Sequence, residues 1–169
     1  RYMMAFRAVV HLAQGAWDRA TEDAEAIIGH PNVAPVSKIP ALIALGLVRA
    51  RRGDPDAGTP LGEARNLAWP TGETQRIGPA VAARAEAAWH NGKLQELPNE
   101  IRMAYELARK GSERWITGAL AFWLWRCGVA REEAGEIARP FPLQIAGKWR
   151  AAAAAWESIG CPYEQAIAL

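Results

Sequence analysis

The sequence predicts an all-α fold, about four to five helical hairpins stacked side by side as a solenoid. Three observations carry that reading. Ala occurs 35 times in 169 residues, against 23 for Val, Ile and Thr together. Ala loses the least entropy in a helix and strands draw on β-branched residues, so a mainly β fold is excluded. Gly15, Gly53, Gly92 and Gly128 each follow an apolar helical stretch, at spacings of 38, 39 and 36 residues. Seven residues before each of them stands a small residue: Ala8, Gly46, Ala85 and Ala121. A small residue at a fixed place on a first helix lets the second approach closely. The glycine then ends that first helix in the left-handed conformation that other residues resist.

The elements follow in order. A first helix over 2–13 carries Ala8 and stops before Gly15; a second over 17–29 buries Trp17, Ala20, Ala24 and Ile27, at steps of 3, 4 and 3. Pro31, Pro35 and Pro40 mark a loop, and the next helix, 38–52, ends in Arg49, Arg51 and Arg52. Those three cations complement the helix dipole by about 0.3–1 kcal/mol each. The helix over 56–68 has Ala57, Leu61, Ala64 and Ala68 on one stripe, followed by a Pro70–Gly72 loop. Helices over 74–91 and 94–110 form the next pair, the second with the stripe Leu97, Ile101, Ala104 and Ala108. Pro60 and Pro98 fall near helix starts, where a missing N–H costs little. In 113–127, Trp115, Phe122, Trp123 and Trp125 make a helix apolar almost all round, as expected of one packed on both sides. Shorter helices are predicted over 131–138 and 142–146, with Pro140 and Pro142 opening the last unit. Helices over 148–159, with Trp149, Ala152, Trp156 and Ile159 on one stripe, and 162–169 complete the chain.

Charge and composition narrow the function. Twenty basic residues face eighteen acidic ones, a net charge of +2, so no basic surface dominates as direct nucleic-acid binding would need. Half the residues are hydrophobic, which excludes intrinsic disorder. Uncharged stretches such as Trp115 to Trp125 run to 11 residues, against about 20 for a membrane span. Cys127 and Cys161 are isolated in sequence and read as reduced thiols of a cytoplasmic protein. Residues 1–169 are expected to form one helical-repeat domain, and the chain begins at once in what looks like a helix, so it is expected to be a piece of something longer.

No chemistry-bearing constellation emerges. There is no Gly-x-x-x-x-Gly-Lys-[Ser/Thr] loop to cradle phosphate, and Gly92-Lys93 and Gly147-Lys148 read as helix-end turns. His11, His30 and His90 are too far apart to suggest a metal site. Ser37, Ser112 and Ser158 suit helix starts or exposed positions. Glu22-Asp23 and Glu132-Glu133 read as solvated helix faces. The expectation is a non-enzyme without metal or cofactor.

Gly15, Trp17 and Ala20, then Ala24, Ile27 and Pro31, look like the second half of a tetratricopeptide repeat, at a longer period than the usual one of about 34. Further stretches add to this: Gly46 to Pro55, Trp123-Leu124-Trp125-Arg126, and Leu143 to Gly147 with Trp149, Ala151 to Trp156 and Gly160-Cys161-Pro162-Tyr163-Glu164. From about residue 40 to its end, the chain resembles the tetratricopeptide-like helical-repeat region of large LuxR-type transcriptional regulators. Those proteins join an ATP-binding STAND module, a helical sensor arm and a C-terminal DNA-binding domain. Lys148 stands where that family tends to have an acidic residue. The resemblance implies a non-catalytic sensor and interaction arm. Its partners would be the other domains of the parent protein and a protein, peptide or small inducer. The alternative is a peptide-docking adaptor region of a signalling protein with a different output.

In such arrays the first helix of each hairpin lines the inner groove. The repeat register then places Arg51, Glu86, Trp89, His90, Phe122, Trp125 and Arg126 in it, large aromatics mixed with a few charges as a ligand groove offers. A terminal repeat also exposes an apolar face, which allows self-association.

Overall fold

The computed structural model describes residues 2–129 and 136–169, and among these every regular element is a helix. They are α1 (Tyr2–Ala13), α2 (Trp17–Ile28), α3 (Pro35–Arg52), α4 (Gly58–Ala68), α5 (Thr74–His90), α6 (Pro98–Lys110), α7 (Arg114–Arg126), α8 (Pro140–Ile145), α9 (Trp149–Ile159) and α10 (Pro162–Ala168). The predicted helix over 131–138 lies outside the described residues up to 135. Residues 136–138 are not helical, and the Ala138 N–H instead donates to the Arg114 carbonyl at 3.0 Å. No helix among the described residues is long and apolar enough to cross a membrane.

The four register glycines end their helices by one shared device. Gly15, Gly53, Gly92 and Gly128 have φ of 77°, 76°, 67° and 76°. The residue after each donates its N–H back to a carbonyl of the last helical turn: Ala16 to His11, Asp54 to Arg49, Lys93 to Ala88 and Val129 to Leu124, at 2.7–3.1 Å. These bonds satisfy carbonyls that the helix end leaves without partners. Gly147 repeats the pattern after α8, with φ 69° and a Lys148 to Leu143 bond.

Packing runs between neighbours. Each helix contacts the next in sequence from α1 to α7 and from α7 through α8 and α9 to α10. The first helices also meet side by side, α1 on α3, α3 on α5 and α5 on α7. Ala8, Gly46 and Ala85 are buried as the register requires. At Gly46 an added Cβ would run into the Leu61 side chain, so the α3–α4 approach depends on a missing side chain. Ala121 departs from this and is only half-buried. In α7 the close approach moves to Gly118, where a Cβ would strike the Phe141 ring.

Two further features differ from the sequence reading. Helix α3 begins at Pro35, three residues before its predicted start, and so carries Pro40 well inside it, as α5 carries Pro79 within its predicted span. Each proline removes one backbone hydrogen bond early in its helix, while continuing α3 buries Ile39, Ala41 and Leu42 together. Burial wins over the local penalty. The stripe of α9 is covered only in its middle: Ala152 and Trp156 are buried, whereas Trp149 and Ile159 are each 47% exposed.

Candidate binding cavity

Helices α1, α3, α5 and α7 face α8, α9 and α10 across a half-open space. Between them lies a cavity of about 430 Å³. Its floor comes from Leu12 on α1, Ile43 and Leu47 on α3, and Ala83 on α5. Its walls are aromatic. The Trp156 ring sits edge-on to Phe141 at 5.3 Å and 6.1 Å from Trp115, while Phe122 packs on Trp123 at 5.0 Å. Trp156 is held in orientation by its indole N–H, which donates to Gln144 Oε1 at 3.0 Å. A buried amide oxygen and a buried indole N–H thus satisfy each other.

One end of the cavity is ionic. Arg51, on the last turn of α3, is buried to 2% side-chain exposure. Its Nε donates to Glu86 Oε1 at 2.7 Å, and its Nη2 donates to Glu86 Oε2 at 3.3 Å and to Glu164 Oε1 at 3.1 Å. The Tyr163 ring covers the guanidinium face, and the Tyr163 hydroxyl shares a 2.7 Å hydrogen bond with His90 Nε2. Burial acts against the Arg51 charge, but Glu86 and then Glu164 outweigh it, so the guanidinium is held more firmly protonated than usual. Burial pushes the Glu164 carboxyl above the ordinary carboxylate value, against the pull of Arg51. Burial likewise raises Tyr163, which stays a phenol. Arg51 Nη1 and Glu164 Oε2 are buried without a hydrogen-bond partner.

The seven groove residues read from the sequence separate into two places. Arg51, Glu86 and Phe122 line the central cavity. Trp89, Trp125 and Arg126 line a different, outer depression with Leu94 and Gln95. There the Arg126 guanidinium lies 4.9 Å from the Trp89 ring centre. His90 reaches the cavity cluster only through Tyr163. The register missed Trp115, Trp156, Tyr163 and Glu164, which belong to the same cavity. The contact from Glu164 to Arg51 spans 113 residues, and no periodicity in the sequence marks it.

Asp23 is not a solvated acid. It is buried and receives two hydrogen bonds from Arg7, at 2.6 and 2.7 Å. Glu132 and Glu133 lie outside the described residues. Cys127 and Cys161 both carry free thiols, and burial raises each above the ordinary thiol value. Among the described residues, no three of His, Cys, Asp or Glu converge in a way that could hold a metal.

No family model, curated protein or solved structure matches the chain.

Proposed function

We propose that the chain is a non-catalytic helical-repeat sensor arm of a LuxR-type, ATP-binding transcriptional regulator of the cytoplasm. In this reading the hairpins form a right-handed tetratricopeptide-like superhelix of about four to five units. The shared glycine turns and the side-by-side row of α1, α3, α5 and α7 support it. The observation that carries the functional reading is the central cavity, aromatic-walled and ionic at one end, built from both halves of the chain. A small inducer filling it would contact α3, α5, α7 and α10 together. It would thereby bias how the two ends of the arm sit, and so what the flanking modules do.

Filling the cavity tests the reading. Ala83 lines it from α5 and is buried. In the full-length protein, Ala83→Phe should abolish the inducer response and leave DNA binding and ATP turnover intact. A folded Ala83→Phe protein with a full response refutes the sensor reading. Flanking sequence discriminates the parent: an ATPase before this segment and a helix-turn-helix after it fit the regulator, and any other output fits a docking adaptor.

A further inference from the structure

We infer that the central cavity is a site for a compact organic cation, an alkyl- or arylalkyl-ammonium. This inference rests on the small-molecule reading of the cavity proposed above. Six aromatic side chains line it: Trp115, Phe122, Trp123, Phe141, Trp156 and Tyr163. The faces of such rings carry negative potential and attract an organic cation; the Tyr163 face already holds Arg51. Among the described residues, the charged side chains that line it are Arg51, Glu86 and Glu164, one positive and two negative. With both carboxyls ionised these residues carry a surplus of one negative charge, and a bound ammonium would favour that ionised form.

The single positive charge is shared with both carboxylates. Arg51 is bonded to each of them and covered by Tyr163, which leaves only its Nη1 without a partner. Glu164 keeps Oε2 without a hydrogen-bond partner. An ammonium group would neutralise the surplus. Among the described lining residues, an anionic ligand would meet two carboxylates against one Arg, which both of them already bond. The volume lies within the range of ordinary small-molecule sites.

Three probes of one skeleton and different charge test this on the 169-residue chain: 4-phenylbutylamine, 4-phenylbutanol and 5-phenylpentanoate. Calorimetry measures binding, and tryptophan fluorescence reports it from Trp115, Trp123 and Trp156. The amine should bind about tenfold tighter than the alcohol, and the pentanoate weakest of the three. Glu164→Gln should bring the amine close to the alcohol while leaving the alcohol unchanged. Trp115 is half-exposed, so Trp115→Leu should fold and weaken the amine selectively. Alcohol binding as tight as the amine overturns the cation inference and leaves the small-molecule reading standing, as does tightest binding by the pentanoate. Absence of binding by all three at millimolar concentration overturns both.

Discussion

The Arg51 guanidinium carbon lies 3.6 Å from the centre of the Tyr163 ring. A residue of the last helix thus covers a charge carried by the third, and the two ends of the chain become one structure. Trp17 approaches the same Tyr163 ring at 6.0 Å, so α2 joins the contact. Neighbour-to-neighbour packing would let the helices unravel from either end. The Arg51 cluster is the long-range tie that opposes this.

Removing Arg51 should therefore destabilise the whole chain. Arg51→Met leaves Glu86 and Glu164 facing one another without the cation, and breaking such a buried ion pair costs about 3–5 kcal/mol. Arg51→Met combined with Glu164→Gln should recover part of that loss, since one of the uncompensated carboxylates is gone. Urea denaturation of the three proteins checks it. A single variant as stable as the parent contradicts the tie.

Two carboxyls should give pH dependences of opposite sign. The hydrogen bonds from Arg7 hold Asp23 below its ordinary value of 3.8. Its contribution is complete above that value and is lost as pH falls below it through the lowered folded value. Asp23→Asn should remove this acid loss. Burial holds Glu164 above its ordinary 4.5, so the folded state favours the neutral form. Stability should decline as pH rises from 4.5 through the raised value and then level off, and Glu164→Gln should abolish that decline. Unfolding midpoints across pH 2–8, with each variant subtracted from the parent, separate the two windows.

The glycines divide by what surrounds them. Gly62 lies inside α4 with nothing within 4 Å of an added Cβ. Gly62→Ala should stabilise by about 0.4–1 kcal/mol, through a less flexible unfolded chain and better helix propensity. Gly118→Ala and Gly46→Ala drive a methyl into Phe141 and Leu61 and should destabilise by about 1–3 kcal/mol. Thermal unfolding checks the signs, and a destabilising Gly62→Ala would show α4 to be packed differently.

The same comparison shows what the sequence could reveal. Most helices and the glycine turns were legible, and so was the placement of Arg51 and Glu86 on one lining, since the 35 residues between them are about one hairpin. Ala8, Gly46 and Ala85 were legible for the same reason. Ala121 was not, since its hairpin partner is the short α8 rather than a full second helix, and the close approach shifts to Gly118. The second wall of the cavity was also invisible. It depends on where α8 to α10 travel in space, which a local period does not encode. For that reason a groove read as continuous divides into a central cavity and an outer depression.

That division yields the last prediction. Trp123 is 7% exposed and lines the cavity, whereas Trp125 is half-buried between Phe122 and Trp149. Trp123→Ala should lose about 3–5 kcal/mol, the range for a buried aromatic. Trp125→Ala should lose less, because part of its surface already meets water. Arg126 is exposed and touches the Trp89 face alone among the rings, so Arg126→Ala should stay within about 0.5 kcal/mol of the parent. A continuous groove would make Trp125 and Arg126 anchors, each worth about 2 kcal/mol or more to a bound ligand. With two separate sites, both variants leave binding in the central cavity unchanged. Measuring amine binding and thermal stability on the same proteins decides between these. Loss of cavity binding in a fully stable Arg126→Ala protein would rejoin the two sites.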